Sequence, residues 1–138
     1  ELAGAVADSL APQVPEARIE VCALPDALGD ATLLRQVLSN LLDNALKYSR
    51  HQGEPMVNVG FDVEAGAYYV RDNGMGFDMT RANKLFGLFQ RLHAGTDVPG
   101  MGVGLAIVAR IIERHGGNIW AESAPGQGAC FWFRVPRA

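Results

Sequence analysis

Asn40, Asp43, Asn44 and Lys47 stand three and four residues apart in an otherwise apolar segment, so on a helix their side chains would be neighbours on one stripe. Asn40 and Asn44 fall one turn apart. An amide oxygen is a neutral hard ligand that can complete the shell of Mg²⁺, a metal usually held by one or two protein groups, waters and substrate phosphates. Lys47, a turn further on, offers a point charge to the same phosphates. With Gln36 these residues lie opposite Leu33, Leu34, Val37, Leu38, Leu41, Leu42 and Ala45, whose spacing marks the side that belongs against a core. Taken alone, the stripe is equally that of a solvated helix face with one Asp43–Lys47 pair worth about 0.2–0.5 kcal/mol.

Three further segments carry residue types suited to holding a phosphorylated ligand. In Asp72-Asn73-Gly74-Met75-Gly76, the glycines let the backbone bend sharply and approach another molecule, and Asp72 at a strand exit could accept a hydrogen bond from an exocyclic amine. The same letters also describe an ordinary Asn-Gly turn. Gly100-Met101-Gly102-Val103-Gly104-Leu105 opens a helix and has the glycine spacing of a phosphate-binding turn, although the glycines could equally serve close packing. It is not the dinucleotide fingerprint, which needs a βαβ setting, and no Gly-Lys-Ser or Gly-Lys-Thr marks a P-loop. Within Lys84 to Arg91, Phe86 and Phe89 suit anchoring a loop to the core. Arg91 beyond them could either reach a terminal phosphate or stay solvated.

These segments need elements to position them. The pattern predicts a short helix over Glu1–Leu10, a strand over Arg18–Ala23, and a long helix N-capped by Asp30 and ending near Ser49. Met56–Val63 and Ala67–Arg71 read as strands joined by a hairpin-like link, and Asp78–Phe86 as a short helix before a loop over Gly87–Gly100. Gly102–His115 is helical with Val103, Ile107 and Ile111 on its expected apolar side, and Gly116 and Gly117 end it. Two closing strands, Asn118–Glu122 and Ala129–Val135, flank a turn. Helices that leave and return to a mostly antiparallel sheet imply an α/β two-layer sandwich, with about five strands in a mixed sheet covered on one face by about three helices.

Composition narrows the partners. With 138 residues, 49% of them hydrophobic and 20% charged, the chain fits one ordinary globular domain. A net charge of −3 argues against a nucleic-acid surface, so a polyphosphate would have to be held by local devices: a metal, a few cations and backbone N–H groups. Cys22 and Cys130 form no metal or redox spacing and are expected as small buried residues. The longest apolar run, Val103 to Ile112, is broken by Arg110 and too short to span a bilayer. No signal peptide is visible and the first residue is Glu1, so the expectation is an excised cytoplasmic domain without membrane contact of its own.

Together and in this order, the segments resemble the N box (Asn40–Ser49), first glycine box (Asp72–Gly76), F box (Phe86–Arg91) and second glycine box (Gly100–Leu105) of the catalytic ATP-binding domain of bacterial sensor histidine kinases. That domain belongs to the ATPase superfamily that also holds Hsp90, DNA gyrase and MutL. The tail Gly126–Phe133 is similar to the family's closing hairpin, and Lys84–His93 with Arg110–Glu122 resembles phytochrome-like and PAS-linked kinases. The resemblance spans nearly the whole chain and implies a Bergerat-type ATP-binding fold. It further implies that Asn44, with Asn40 beside it, holds Mg²⁺, that Lys47 faces the phosphates, and that Tyr48 borders the adenine. By the same resemblance Asp72 binds the adenine amino group, Gly74 and Gly76 shape the pocket, and Gly102, Gly104 and Leu105 bring lid backbone to the phosphates. Arg91 would assist γ-phosphoryl transfer, and Asp43 would help orient the incoming histidine or its proton.

One position bears on reaction type. Hydrolysing members of the superfamily carry a general-base glutamate one turn before the metal-binding asparagine, and here that place is Asn40. An amide cannot deprotonate water, so the resemblance implies transfer to an already nucleophilic imidazole, which needs positioning and charge neutralisation more than a base. None of His51, His93 and His115 has the acidic helical context of a phosphoacceptor. The acceptor histidine is expected on an upstream dimerisation domain and a response-regulator receiver domain as the next partner, which would leave this stretch little activity alone. The alternatives are a degenerate nucleotide-binding or docking module, and an ATPase or anti-sigma-type serine kinase.

Overall fold

The computed structural model describes residues 2–10, 12, 17–22, 30–49, 53–74, 101–123 and 126–135. Its elements, in chain order, are α1 (Leu2–Leu10), β1 (Arg18–Val21), α2 (Ala31–Ser49), β2 (Met56–Asp62), β3 (Ala67–Asp72), α3 (Met101–Arg114), β4 (Asn118–Ser123) and β5 (Ala129–Arg134). The helix expected over 78–86 and the loop expected over 87–100 lie outside the described residues.

The long helix α2 begins where its cap dictates. Asp30 Oδ1 accepts the N–H groups of Thr32 at 2.8 Å and Leu33 at 3.1 Å, two of the donors a helix start leaves unpaired. His115, just past α3, ties the two helices together: its Nε2 accepts the Asp30 N–H at 3.1 Å, and its Nδ1 lies 2.8 Å from the Ile111 carbonyl. Both ring nitrogens are therefore spent on the fold.

Five strands form one sheet in the order β1-β2-β3-β5-β4. β1 pairs with β2 in parallel and every other pairing is antiparallel, so the sheet is mixed and mostly antiparallel, as expected. Period-two alternation assigns each strand's faces. Val57, Val59, Tyr68, Val70, Phe131 and Phe133 point into one core with Val37, Leu41, Leu42 and Leu46 of α2, Leu105, Val108 and Ile112 of α3, and Val6 of α1. The other face carries no helix among the described residues and is covered by its own aromatic groups. Trp120 stacks on Trp132 at 6.0 Å, Tyr69 lies 5.2 Å from Trp132, and Arg71 and Arg134 each sit 4.9 Å over a ring.

Two expectations are corrected. The buried side of α3 is Leu105, Ala106, Val108, Ala109, Ile111 and Ile112, whereas Ile107 is only half-buried and the side chain of Val103 lies outside the described residues. A helix packed against both α2 and the sheet buries more than one stripe, and the single-stripe reading chose the wrong centre. Cys130 is buried, but Cys22 is exposed, because it follows the short edge strand β1, beyond which no described element covers it.

Candidate functional site

Alternation along β3 places Asp72 on the same face as Tyr68 and Val70, so a carboxyl group ends up at the rim of the core, 5% exposed. Burial pushes its pKa up to about 6, partly opposed by the N–H groups of Gly74 and Ala129. Oδ1 accepts the Gly74 N–H at 2.8 Å, while Oδ2 is buried without a hydrogen-bond partner among the described residues. Two glycines make this geometry possible. A Cβ on Gly74 would run into the Tyr48 carbonyl and lie 2.8 Å from Asp72 Oδ1, so the loop can press on the last turn of α2 only because that position is bare. Gly128, at φ 77°, packs equally tightly against the Asp72 carbonyl from the turn before β5.

One turn back from Tyr48 stands Asn44. The sequence pattern put it on a polar face, yet it is 3% exposed, and its Nδ2 has no hydrogen-bond partner among the described residues. Asn40, half-buried, has an equally buried and unpartnered Nδ2. A solvated helix face does not strand amide nitrogens out of water, so the bland reading of this stripe fails for these two residues. A buried polar atom without a partner costs about 1–3 kcal/mol. Here one acceptor and two donors are left so, all carried by α2 and the strand end packed against it. Such clustering is tolerated where a ligand supplies the missing partners.

Lys47 Nζ lies 3.0 Å from Asp43 Oδ2, the i, i+4 pair anticipated from the spacing, with both side chains about 30% exposed and so placed at the edge of the cluster. Tyr48 is enclosed, 2% exposed, and its hydroxyl is held well above its ordinary pKa by burial and then by the Asp72 charge. Its ring is thus part of the wall behind Asp72. Leu105 is a core residue, 1% exposed, so only its backbone is available to a ligand. Gly102 and Gly104 lie in the first turn of α3. Gly76 and Arg91 are outside the described residues.

The donor set suits a magnesium–phosphate ligand better than a metal alone. Among the described residues no group of three His, Cys, Asp or Glu side chains could cage a cation. Mg²⁺ usually keeps waters and phosphate oxygens and takes only one or two protein ligands. The amides of Asn40 and Asn44 fit that demand, because turning an amide by half a turn presents either its oxygen to a cation or its nitrogen to a phosphate.

A groove of about 600 Å³ lined by Gln36, Ile107, Arg110, Ile111, Glu113 and Arg114 lies at the other end of α2 and α3. Its lining includes none of the unpartnered polar atoms, so the chemistry favours the Asn40–Asn44–Asp72 cluster over this groove as the candidate site. One contributor escaped the sequence reading. Asn73, weighed only as a turn residue, uses its side chain to hold the Asp72 loop, with Oδ1 accepting the Met56 N–H at 3.0 Å and Nδ2 donating to the Glu54 carbonyl at 2.8 Å.

Comparison with known proteins gives the family and the fold. Residues 29–138 match the model of the "Histidine kinase-, DNA gyrase B-, and HSP90-like ATPase" family. The methanogenesis regulatory histidine kinase FilI of Methanothrix harundinacea is 46% identical over 109 residues, covering 78% of this chain and 12% of FilI. The phytochrome-like protein Cph1 of Synechocystis is 40% identical over 122 residues, covering 87% of this chain and 16% of the relative. The chain thus spans less than a fifth of the length of either protein. Among solved structures, the mycobacterial sensor histidine kinase MprB superposes with a TM-score of 0.85 at 24% identity, over 99% of this chain and 93% of that one, and establishes the fold. Full-length ShkA in complex with AMPPNP superposes with a TM-score of 0.79 at 31% identity, over 99% of this chain and 29% of that one.

Proposed function

Since the chain belongs to the histidine kinase-, DNA gyrase B- and HSP90-like ATPase family, with sensor kinases of two-component systems as its relatives, we propose that it binds ATP with Mg²⁺ and presents the γ-phosphate to a histidine elsewhere in a longer protein. The observation that carries the reading is Asp72 Oδ2, a buried carboxylate oxygen that closes no hydrogen bond with the described residues, although the nearby Ala129 N–H favours the charge of the carboxyl group. An adenine amino group is a neutral N–H donor of the kind such an oxygen needs. The AMPPNP complex of ShkA supports the same ligand class.

In this reading Asp72 selects the base while Gly74 fixes its orientation. Asn44 and Asn40 hold the magnesium–phosphate end, and Lys47, steadied by Asp43, neutralises phosphate charge. Magnesium, when bound, supplies electrostatic stabilisation of the triphosphate. Gly102 and Gly104 let the start of α3 meet the phosphates with backbone N–H groups; outside the described residues, Gly76 is assigned with Gly74 to shaping the pocket and Arg91 to assisting γ-phosphoryl transfer. Asn40 cannot serve as a base toward water, which favours transfer to an imidazole over hydrolysis. The domain is taken to run over 1–138, because Val6 and Ala7 of α1 share the core of the family-matched part. The partners are an upstream histidine-bearing dimerisation domain and a response-regulator receiver domain. Incubating the full-length protein with labelled ATP tests this: acid-labile, base-stable phosphohistidine is expected, and its absence from a protein that binds ATP would favour a degenerate binding module.

A further inference from the structure

The β2–β3 ladder ends in an unusual way. Val57 pairs with Asp72, and the next pair would be Met56 with Asn73. Asn73 does donate its N–H to the Met56 carbonyl at 3.2 Å, but the return bond from Met56 N–H goes to the side-chain Oδ1 at 3.0 Å. A side-chain amide here stands in for a backbone carbonyl, a substitution open to asparagine because its amide has the same acceptor geometry one bond further out. The ladder stays closed while the main chain after Asn73 is released from it. That release lets Gly74 turn back, donate to Asp72 Oδ1 and seat against the Tyr48 carbonyl. The other end of the same amide donates to the Glu54 carbonyl at 2.8 Å and holds down the segment preceding β2.

From this geometry we infer that Asn73 is a positioning residue for base recognition: its side chain replaces a ladder carbonyl so that the Asp72–Gly74 turn can hold the Asp72 carboxylate toward the ligand's base. Asn73 is itself exposed and acts through Asp72. The inference rests on the nucleotide reading above and deepens it. Its signature is specific to the base. Loosening the turn weakens the contact from Asp72 to an exocyclic amine and leaves the phosphate contacts of Asn40, Asn44 and Lys47 in place.

The test compares ATP with inosine triphosphate, which carries a carbonyl oxygen where ATP has its amine, by calorimetric titration with Mg²⁺ on wild type, Asn73→Ala and Asn73→Asp. Wild type is expected to prefer ATP. Asn73→Ala should reduce the ATP-to-ITP preference by about tenfold, the value of one well-placed hydrogen bond, with ITP affinity changed less than about twofold. Asn73→Asp keeps an acceptor for Met56 but loses the donor to Glu54, and should fall between. A folded Asn73→Ala chain with the wild-type preference, or one that weakens both nucleotides equally, overturns the inference. If the alanine chain does not fold, an aspartate chain with the full wild-type preference overturns it as well. A wild type that binds neither nucleotide sinks the nucleotide reading, and this inference with it, a result distinct from all the others.

Discussion

Acidifying the solution should strip nucleotide from this domain through one group. Asp72 accepts an amine hydrogen at Oδ2 most strongly while ionised, and burial has moved its pKa from 3.8 to about 6. Around pH 7 roughly nine-tenths of the unliganded chains carry the carboxylate, and around pH 5 roughly one-tenth do. If the bound form needs the charge, affinity falls by roughly tenfold across that interval, about 1.4 kcal/mol. Nucleotide phosphates titrate in the same range, so the informative quantity is the difference between wild type and Asp72→Asn, which keeps an acceptor oxygen that does not titrate. Stability runs the other way. With its folded pKa above its unfolded one, Asp72 contributes stability fully present below about pH 4 and lost as pH rises through about 6, on the order of 3 kcal/mol for a group this buried. Fluorescent-nucleotide titration from about pH 5 to 8, with melting curves of the unliganded chain alongside, reads both. An identical pH slope in wild type and Asp72→Asn would refute the reasoning.

Other perturbations follow from the same contacts. Gly74→Ala forces a methyl group into the Tyr48 carbonyl and should cost about 1–3 kcal/mol in chemical denaturation while abolishing measurable ATP binding. Asn44→Ala removes a buried amide nitrogen that none of the described residues satisfies, so calorimetry should show Mg²⁺-ATP affinity reduced by at least about tenfold while the unliganded melting temperature holds or rises. Ile112→Ala empties a fully buried position between α3 and the sheet and should destabilise by about 2–5 kcal/mol, measured by urea titration, with nucleotide affinity unchanged in the folded fraction.

What the sequence made legible was mainly local. The Asp30 cap, the β2–β3 hairpin and the glycine stop after α3 each depend on residues within one turn of one another, and each forms as the pattern predicts. The site's residue types were legible too, but not their burial. Asn44 sits on the polar side of α2 by periodicity, and only the return of the Asp72–Gly74 loop onto Tyr48, from 24 or more positions later in the sequence, brings that end of the helix into a buried wall. The same holds for the parallel pairing of β1 with β2, which needs all of α2 between them, and for α3, buried from two directions at once. Asn73 was hidden for a subtler reason. Its letter suits any turn, and its role as a surrogate ladder carbonyl exists only once Met56 lies opposite.

On the proposed function, an adenine nucleotide supplies the partners that Asn40 Nδ2, Asn44 Nδ2 and Asp72 Oδ2 lack among the described residues. Calorimetric titration of the folded wild-type chain with ATP, with and without Mg²⁺, tests it most directly. Saturable one-to-one binding that tightens with Mg²⁺ and disappears in Asp72→Ala is expected; a folded chain that gives no binding heat and no thermal stabilisation at millimolar ATP would contradict the nucleotide reading.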